Sequence, residues 1–362
     1  MSAHSTYSQL TVYQEEPLNA GTPLEPLRRA FLTPQDLFFV RTHGSRPVVD
    51  QEAYRLVVNG MVQQQMEFSL TDLLTQFAQH TVTATLVCAG SRRNELAAVR
   101  PLSGKVLWGP DPISTAKWRG VRLYDILQAA GIEAEAQYVA FCGLDEAHEE
   151  GKHVSFGSSV RLEKALSPEV LLVYEMNDAP LAPEHGFPLR ALIPGYVGAR
   201  SVKWLQTITL QSQPSTNYFQ DRDYKIFPPD ITEETVDWTQ GKTLEEVALN
   251  SVICTPHDGE TRKAGPINVQ GYAISGEGVP IERIELSTNQ GATWLPAAIT
   301  EKTDLWAWCF WEATLNLPSG DCQITVRAWD ASGKTQPERV QPLWNFKGYA
   351  NNAWHQIRLH LS

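Results

Sequence analysis

The chain has 362 residues, 42% of them hydrophobic and 20% charged, with a formal net charge of −11 and a pI near 5.3. At roughly 100–200 residues per domain that length predicts two domains, and the composition is that of a soluble globular protein. The acidic balance argues against nucleic-acid and anionic-membrane partners, which select basic surfaces, and no apolar run approaches the roughly 18 residues of a membrane helix.

Residues 1–36 read as an extended, proline-dotted N-terminal arm. MSAHSTYSQLTVYQEEP lacks a basic n-region and an apolar h-region, and no apolar run follows Arg28-Arg29. The terminal LHLS is not a peroxisomal address, so the expected location is cytoplasmic.

Residues 37–245 alternate β-rich runs with helical patterns and read as one mixed α/β domain. In VRLYDILQAA, residues Leu123, Ile126, Leu127 and Ala130 recur at i, i+3, i+4 and i+7, which predicts a helix stopped by Gly131. Strands are expected at Tyr138–Phe141, Val170–Tyr174, Leu189–Ile193 and Ser201–Leu210, punctuated by glycine and proline. A linker is expected in the acidic stretch Asp230–Glu246. Residues 246–362 change to short alternating runs, INVQGYAI, IERIELS, AWCFWEATL and QITVRAW, split by turn signals such as Ser275-Gly276 and Asp330-Ala331-Ser332-Gly333. That spacing predicts an immunoglobulin-like β-sandwich, and the fold class is therefore α+β.

The five cysteines, Cys88, Cys142, Cys254, Cys309 and Cys322, are odd in number and form no CxxC or zinc pattern. Four read as reduced, buried small hydrophobes. Cys88 stands apart. It ends the run Thr81–Val87 and precedes three small residues, then Arg92 and Arg93. Two guanidinium groups favour a thiolate, which serves as nucleophile or metal ligand. Two adjacent arginines near a core also call for an anion between them. A buried structural cysteine is the bland alternative.

A second constellation, EHGFPLRALIPGYVGARSVKW, carries His185, Arg190, Arg200 and Lys203 among glycines and prolines, which suits a phosphate or another polyanion. FFVRTH holds Arg41 and His43, DRDYKIF holds Tyr224, and WNFKG holds Lys347. Each of these is weak alone.

FFVRTH, CAGSRR, VRPLSGKVLW closing on Trp108, EHGFPLR, GARSVKWL, RDYKIF and NFKGYANNAWH stand in this order. Their order and content resemble the sulfite oxidase family of molybdenum enzymes over residues 37 to 362. The resemblance implies that Cys88 ligates molybdenum, which also takes the dithiolene sulfurs of molybdopterin. It assigns the pterin cofactor to Phe39, Val40, Arg41, Thr42, His43, Asp145, His185, Arg190, Ser201, Val202 and Lys203. It assigns the substrate anion to Arg41, Arg93, Trp108, Tyr224 and Lys347. The implied reaction is oxidation of sulfite to sulfate by oxo transfer, with an unidentified electron acceptor, and the C-terminal part implies a homodimer. Three positions depart from the family pattern: Thr42 and Ser91 replace asparagines, and Lys347 stands where animal sulfite oxidases have arginine, keeping the charge but losing the bidentate fork. Alternatives are a nitrate or sulfoxide reductase on the same core, a non-catalytic anion- or pterin-binding scaffold, and a cysteine hydrolase whose base folds in from a distance.

Overall fold

The computed structural model describes residues 9–362, and the structure is mostly sheet with a few short helices. Among the described residues the longest α-helix has eight residues, Leu123–Ala130. Its four periodic apolar positions are all buried, and Gly131 ends it with φ of 72°, a left-handed backbone that favours glycine. The sequence periodicity and the packed face coincide here.

Two five-stranded sheets frame the first part of the chain. One contains Gln79–Val87, Ile113–Arg122, Leu171–Met176 and Ala179–Pro180, with Arg190–Leu192 paired to Leu171–Met176. The other runs Met66–Phe68, Leu56–Gly60, Leu205–Gln211, Tyr138–Glu149 and Lys152–Arg161, and its Leu56–Gly60 and Leu205–Gln211 are parallel. The expected strands exist with shifted bounds. Tyr138–Phe141 is the start of a longer strand, and Ser201–Leu210 begins only at Leu205 because Gly198–Arg200 forms a short 3-10 turn and Ser201 follows it.

From Asn250 onward the chain forms eight strands in one hydrogen-bonded path, with its own apolar core that includes Ile253, Val269, Ile284, Trp311 and Val326. The strand Asn250–Thr255, at one end of that path, also packs on Gly320–Asp330 and His355–Leu361. Alternation of buried and exposed residues along His355–Leu361 is strict, the period-two pattern of a half-buried strand.

The N-terminal arm departs from the extended expectation. Its first eight residues lie outside those described, but Leu24–Arg29 is helical, and Thr11–Gln14 and Asn19–Gly21 pair with Val40–Arg41 in a three-stranded sheet. All three residues of Asn19–Gly21 are buried. Gly21 is required there, because a β-carbon would stand 2.1 Å from a carboxylate oxygen of Asp111. The arm is a packed part of the first region.

Candidate active site

The strand Gln79–Val87 is exposed at its start and buried over Ala84–Val87, so the chain enters the interior as it reaches Cys88. A tight loop follows: Cys88 O accepts from Ser91 N at 2.9 Å, and Cys88 N donates to Pro112 O at 2.9 Å. Arg92 then adopts φ of 62°, a left-handed conformation uncommon for a residue with a β-carbon, and the helix Arg93–Val99 begins. This turn sends the two arginines apart.

Arg92 is fully buried and makes a forked pair with Glu95, Nε to Oε1 and Nη2 to Oε2 both at 2.7 Å, while Nη1 reaches Asn250 and the carbonyl of Ala353. The expectation that both arginines flank Cys88 is corrected: Glu95 is the anion that Arg92 holds, and the pair joins the first region to the C-terminal strands. Arg93 turns the other way. It donates to Gly348 O and Val106 O, and its guanidinium lies 5.0 Å from the Tyr349 ring centroid. Gly90 permits this, since a β-carbon there would sit 2.5 Å from Arg93 Nη2.

Cys88 lines a recessed cavity. Phe39, Arg41, His43, Asp145, His185, Arg190, Ser201, Lys203 and Tyr224 line it too. Residues spread from 39 to 224 thus converge because five segments meet at one place: the Val40–Arg41 strand, the Cys88 loop, the 3-10 turns at Pro183–His185 and Gly198–Arg200, and the π-turn Phe219–Asp223.

Charges in the cavity are held by backbone oxygens more than by carboxylates. Arg190 donates to His185 O and Ser201 O, and Lys203 donates to Glu184 O at 2.8 Å and to Thr42 Oγ1 at 3.3 Å. Burial, and then the nearby Arg190, pulls the Lys203 ammonium down to about 7; burial pushes Asp145 up to about 6 against the attraction of Lys203. His185 is brought down to about 4 by burial and His43 well below its usual value by burial and then Arg41, so both are neutral at pH 7.

Tyr224 hydroxyl and His43 Nε2 share a hydrogen bond of 2.9 Å, and burial raises the phenol, which stays protonated. Tyr224 stacks on Tyr349 with centroids 5.4 Å apart, linking the cavity wall to Arg93. Beside it Asp223 accepts from Lys347 Nζ at 2.8 Å. Burial raises the Asp223 carboxyl, but Lys347 and then His43 outweigh it and hold it near 2.

Not every expected residue faces the cavity. Arg93, Trp108 and Lys347 are buried outside its lining, as are Val40, Thr42 and Val202. Trp108 is wholly buried against Tyr13, with centroids 4.8 Å apart and its indole N–H without a protein partner. Arg200, singled out with the basic residues of its loop, is structural: it is fully buried and donates to Leu244 O, Tyr224 O and Gln220. Sequence reading passed over Asp223, Tyr349 and Asn19. Only Asp223 left a local signal, an acid beside Tyr224 in a run of mixed charges.

Two polar atoms left over in the cavity bear on a pterin-held metal. Asp145 Oδ1 and Arg190 Nε are buried without hydrogen-bond partners, and both residues line the cavity. One acceptor and one donor therefore await a polar ligand, as a pterin ring with a phosphate supplies. A single thiolate ligand, Cys88, agrees with a metal that takes its other donors from a cofactor: among the described residues no group of three His, Cys, Asp or Glu could hold an ion alone. The residues fit the cofactor.

Comparison with known proteins agrees with this geometry. The family model described as oxidoreductase molybdopterin binding domain matches residues 43–219, and that of the Mo-co oxidoreductase dimerisation domain matches residues 242–362. The chain is 39% identical to the mitochondrial sulfite oxidase of Homo sapiens over 98% of its own length and 66% of that protein. It is 36% identical to sulfite oxidase of Arabidopsis thaliana, covering 99% of this chain and 97% of the relative. In three dimensions it matches the sulfane dehydrogenase SoxCD of Paracoccus pantotrophus with a TM-score of 0.80 at 25% identity, over 94% of this chain and 83% of that one. The cavity built around Cys88, both family models and relatives aligned along nearly the whole chain agree, and the chain belongs to the sulfite oxidase family of molybdenum-cofactor oxidoreductases.

Proposed function

We propose that this chain oxidises sulfite to sulfate, taking one oxygen from water and releasing two protons and two electrons. The observation that carries the reading is the convergence of Cys88, Arg41 and Tyr224 on one recessed cavity whose cations rest on backbone carbonyls. Cys88 holds the molybdenum. Phe39, Val40, Thr42, His43, Asp145, His185, Arg190, Ser201, Val202 and Lys203, with Arg41, hold the molybdopterin through side chains and backbone. When bound, the cofactor supplies two-electron oxo-transfer chemistry.

The protein positions the anion and handles protons. Arg41, Arg93 and Lys347 supply positive charge, in a chain whose net charge of −11 repels an anion elsewhere. Trp108, buried outside the lining against Tyr13, keeps an unpaired indole N–H. Tyr224, kept as a phenol, shares a hydrogen bond with neutral His43, which orients its hydroxyl at the cavity wall. Walls formed by Phe38, Phe39, Leu86 and Phe156 keep bulk water away and strengthen these interactions.

We divide the chain into an arm at 1–36, a catalytic domain at 37–245 and an immunoglobulin-like dimerisation domain at 246–362 that forms a homodimer. The dimerisation-domain match and the separate apolar core of the C-terminal strands support this division.

Retention of a cation at Lys347 favours sulfite over nitrate, although Asp223, 2.8 Å away, offsets part of its charge. Turnover of sulfite with ferricyanide as electron acceptor and of nitrate with reduced viologen as donor, on the same preparation, tests the reading. Rapid sulfite turnover with negligible nitrate turnover is expected; the reverse overturns it.

A further inference from the structure

The third strand of the small N-terminal sheet is Val40–Arg41, so the backbone that presents Arg41 is fixed by the arm, with Asn19 directly opposite Arg41 in register. Asn19 is completely buried. Its Oδ1 accepts twice, from Arg41 Nη1 at 3.0 Å and from the backbone N–H of Thr42 at 3.1 Å. Its Nδ2 donates to Gln14 Oε1 at 3.0 Å and to Pro17 O at 2.9 Å, so the amide cannot rotate without losing bonds on both sides. Arg41 Nη1 also donates to Thr42 O at 2.7 Å. Among the described residues both hydrogen bonds from Arg41 leave through Nη1, which leaves Nε and Nη2 for an anion.

We propose that Asn19 is a positioning residue that aims Arg41 at the substrate oxyanion, and that the N-terminal arm is thereby part of the anion-binding apparatus. This rests on the reading of Arg41 as a substrate contact. An arginine side chain has large rotamer freedom that must be given up when it binds an anion. Two contacts on one terminal nitrogen fix the plane of the fork before the anion arrives, so less freedom is lost on binding. A neutral amide suits this task. A carboxylate at the same place would pair with the guanidinium and cancel the charge the anion needs. Gln14 and Pro17, on the arm itself, orient the amide, so the effect is carried from the arm into the cavity by direct contacts.

A purely structural role for Asn19 predicts something different, and a double-mutant cycle separates the two. Sulfate affinity is measured by calorimetry on the cofactor-loaded wild type, on Asn19→Ala, on Arg41→Met and on the double variant, with KM and kcat for sulfite alongside. Asn19→Ala is expected to weaken sulfate binding about tenfold and raise KM similarly, with kcat within about twofold, the scale of one lost orienting hydrogen bond to a charged group. In the Arg41→Met background the same change is expected to shift affinity less than about twofold, since there is nothing left to aim. Equal shifts in both backgrounds, or none in either, overturn the proposal. If Asn19→Ala does not fold, Gln14→Ala frees the amide while leaving its oxygen, and a two- to threefold weakening is expected only when Arg41 is present. A wild type that neither binds sulfate nor oxidises sulfite removes the substrate reading instead. Crystal structures of the wild type and Asn19→Ala then decide: a displaced Arg41 guanidinium supports the tether, and an unmoved one refutes it.

Discussion

Lys347 Nζ stands 2.8 Å from Asp223 Oδ1, and only 3% of the lysine side chain and 15% of the aspartate side chain are exposed. The same carboxylate approaches His43 Nε2 at 3.9 Å, so an ammonium, its counter-charge and a neutral imidazole form one buried group. Lys347 therefore cannot be treated as a free positive charge.

Breaking this pair from one side leaves a buried charge alone. Lys347→Met strands Asp223 near the anion site and is expected to raise KM for sulfite by roughly ten- to a hundredfold. Adding Asp223→Asn removes the stranded carboxylate and is expected to recover KM to within about tenfold of wild type. Steady-state kinetics of the two single variants and the double variant check this; additive losses would show that the pair is not coupled.

Cys88 is the only thiol on the cavity wall among the described residues. Cys88→Ser removes a soft ligand but little volume, so the fold is expected to persist while sulfite turnover falls by about a thousandfold or more. Thermal unfolding and turnover are measured on the same sample. Full activity in the serine variant would remove Cys88 from the metal.

Tyr224 and His43 share a hydrogen bond of 2.9 Å at the cavity wall. Tyr224→Phe is expected to lower kcat by about tenfold or more, a typical contribution of a positioned proton donor, with a smaller change in KM. A KM effect alone, with kcat retained, would make the hydroxyl a binding group only.

His355 gives a stability prediction remote from the cavity. Its Nδ1 accepts from the backbone N–H of Ile253 at 3.2 Å, so that nitrogen must be unprotonated in the fold. Burial, and then Arg92, lowers it from 6.5 to about 4. Between those values the unfolded chain binds a proton that the native chain refuses, so stability present above 6.5 is lost as pH falls towards 4. Asp111, raised to about 6 by burial, contributes with the opposite sign, and only a variant isolates the histidine. His355→Gln keeps an acceptor and is expected to flatten the acid-side slope, by up to about 3 kcal/mol over the interval. Urea midpoints measured from about pH 7 to about pH 5 test it, and parallel curves would exclude His355 as a source.

Much of this was legible where chemistry and local pattern coincide. The Leu123–Ala130 helix follows from apolar spacing, and Cys88 is conspicuous because a β-rich run ends in it. The basic loop after Glu184 does contribute His185, Arg190 and Lys203 to the cavity. Illegible features depend on partners far along the chain. Arg92 and Arg93 look equivalent in sequence, yet a left-handed backbone at one residue sends the first to Asn250 and Ala353 and the second towards Tyr349. Arg200 resembles a ligand cation until the carbonyl of Leu244 is seen to occupy it. Asn19 sits among polar arm residues with nothing local to mark it, because strand pairing across 22 positions creates its role.

The central claim is that Cys88 holds a metal at which sulfite is oxidised. Anaerobic titration of sulfite into the purified holoprotein, followed through the visible thiolate-to-metal absorption, tests it most directly. The band is expected to bleach at one equivalent per chain. A band that persists through excess sulfite, with molybdenum present by elemental analysis, would contradict it.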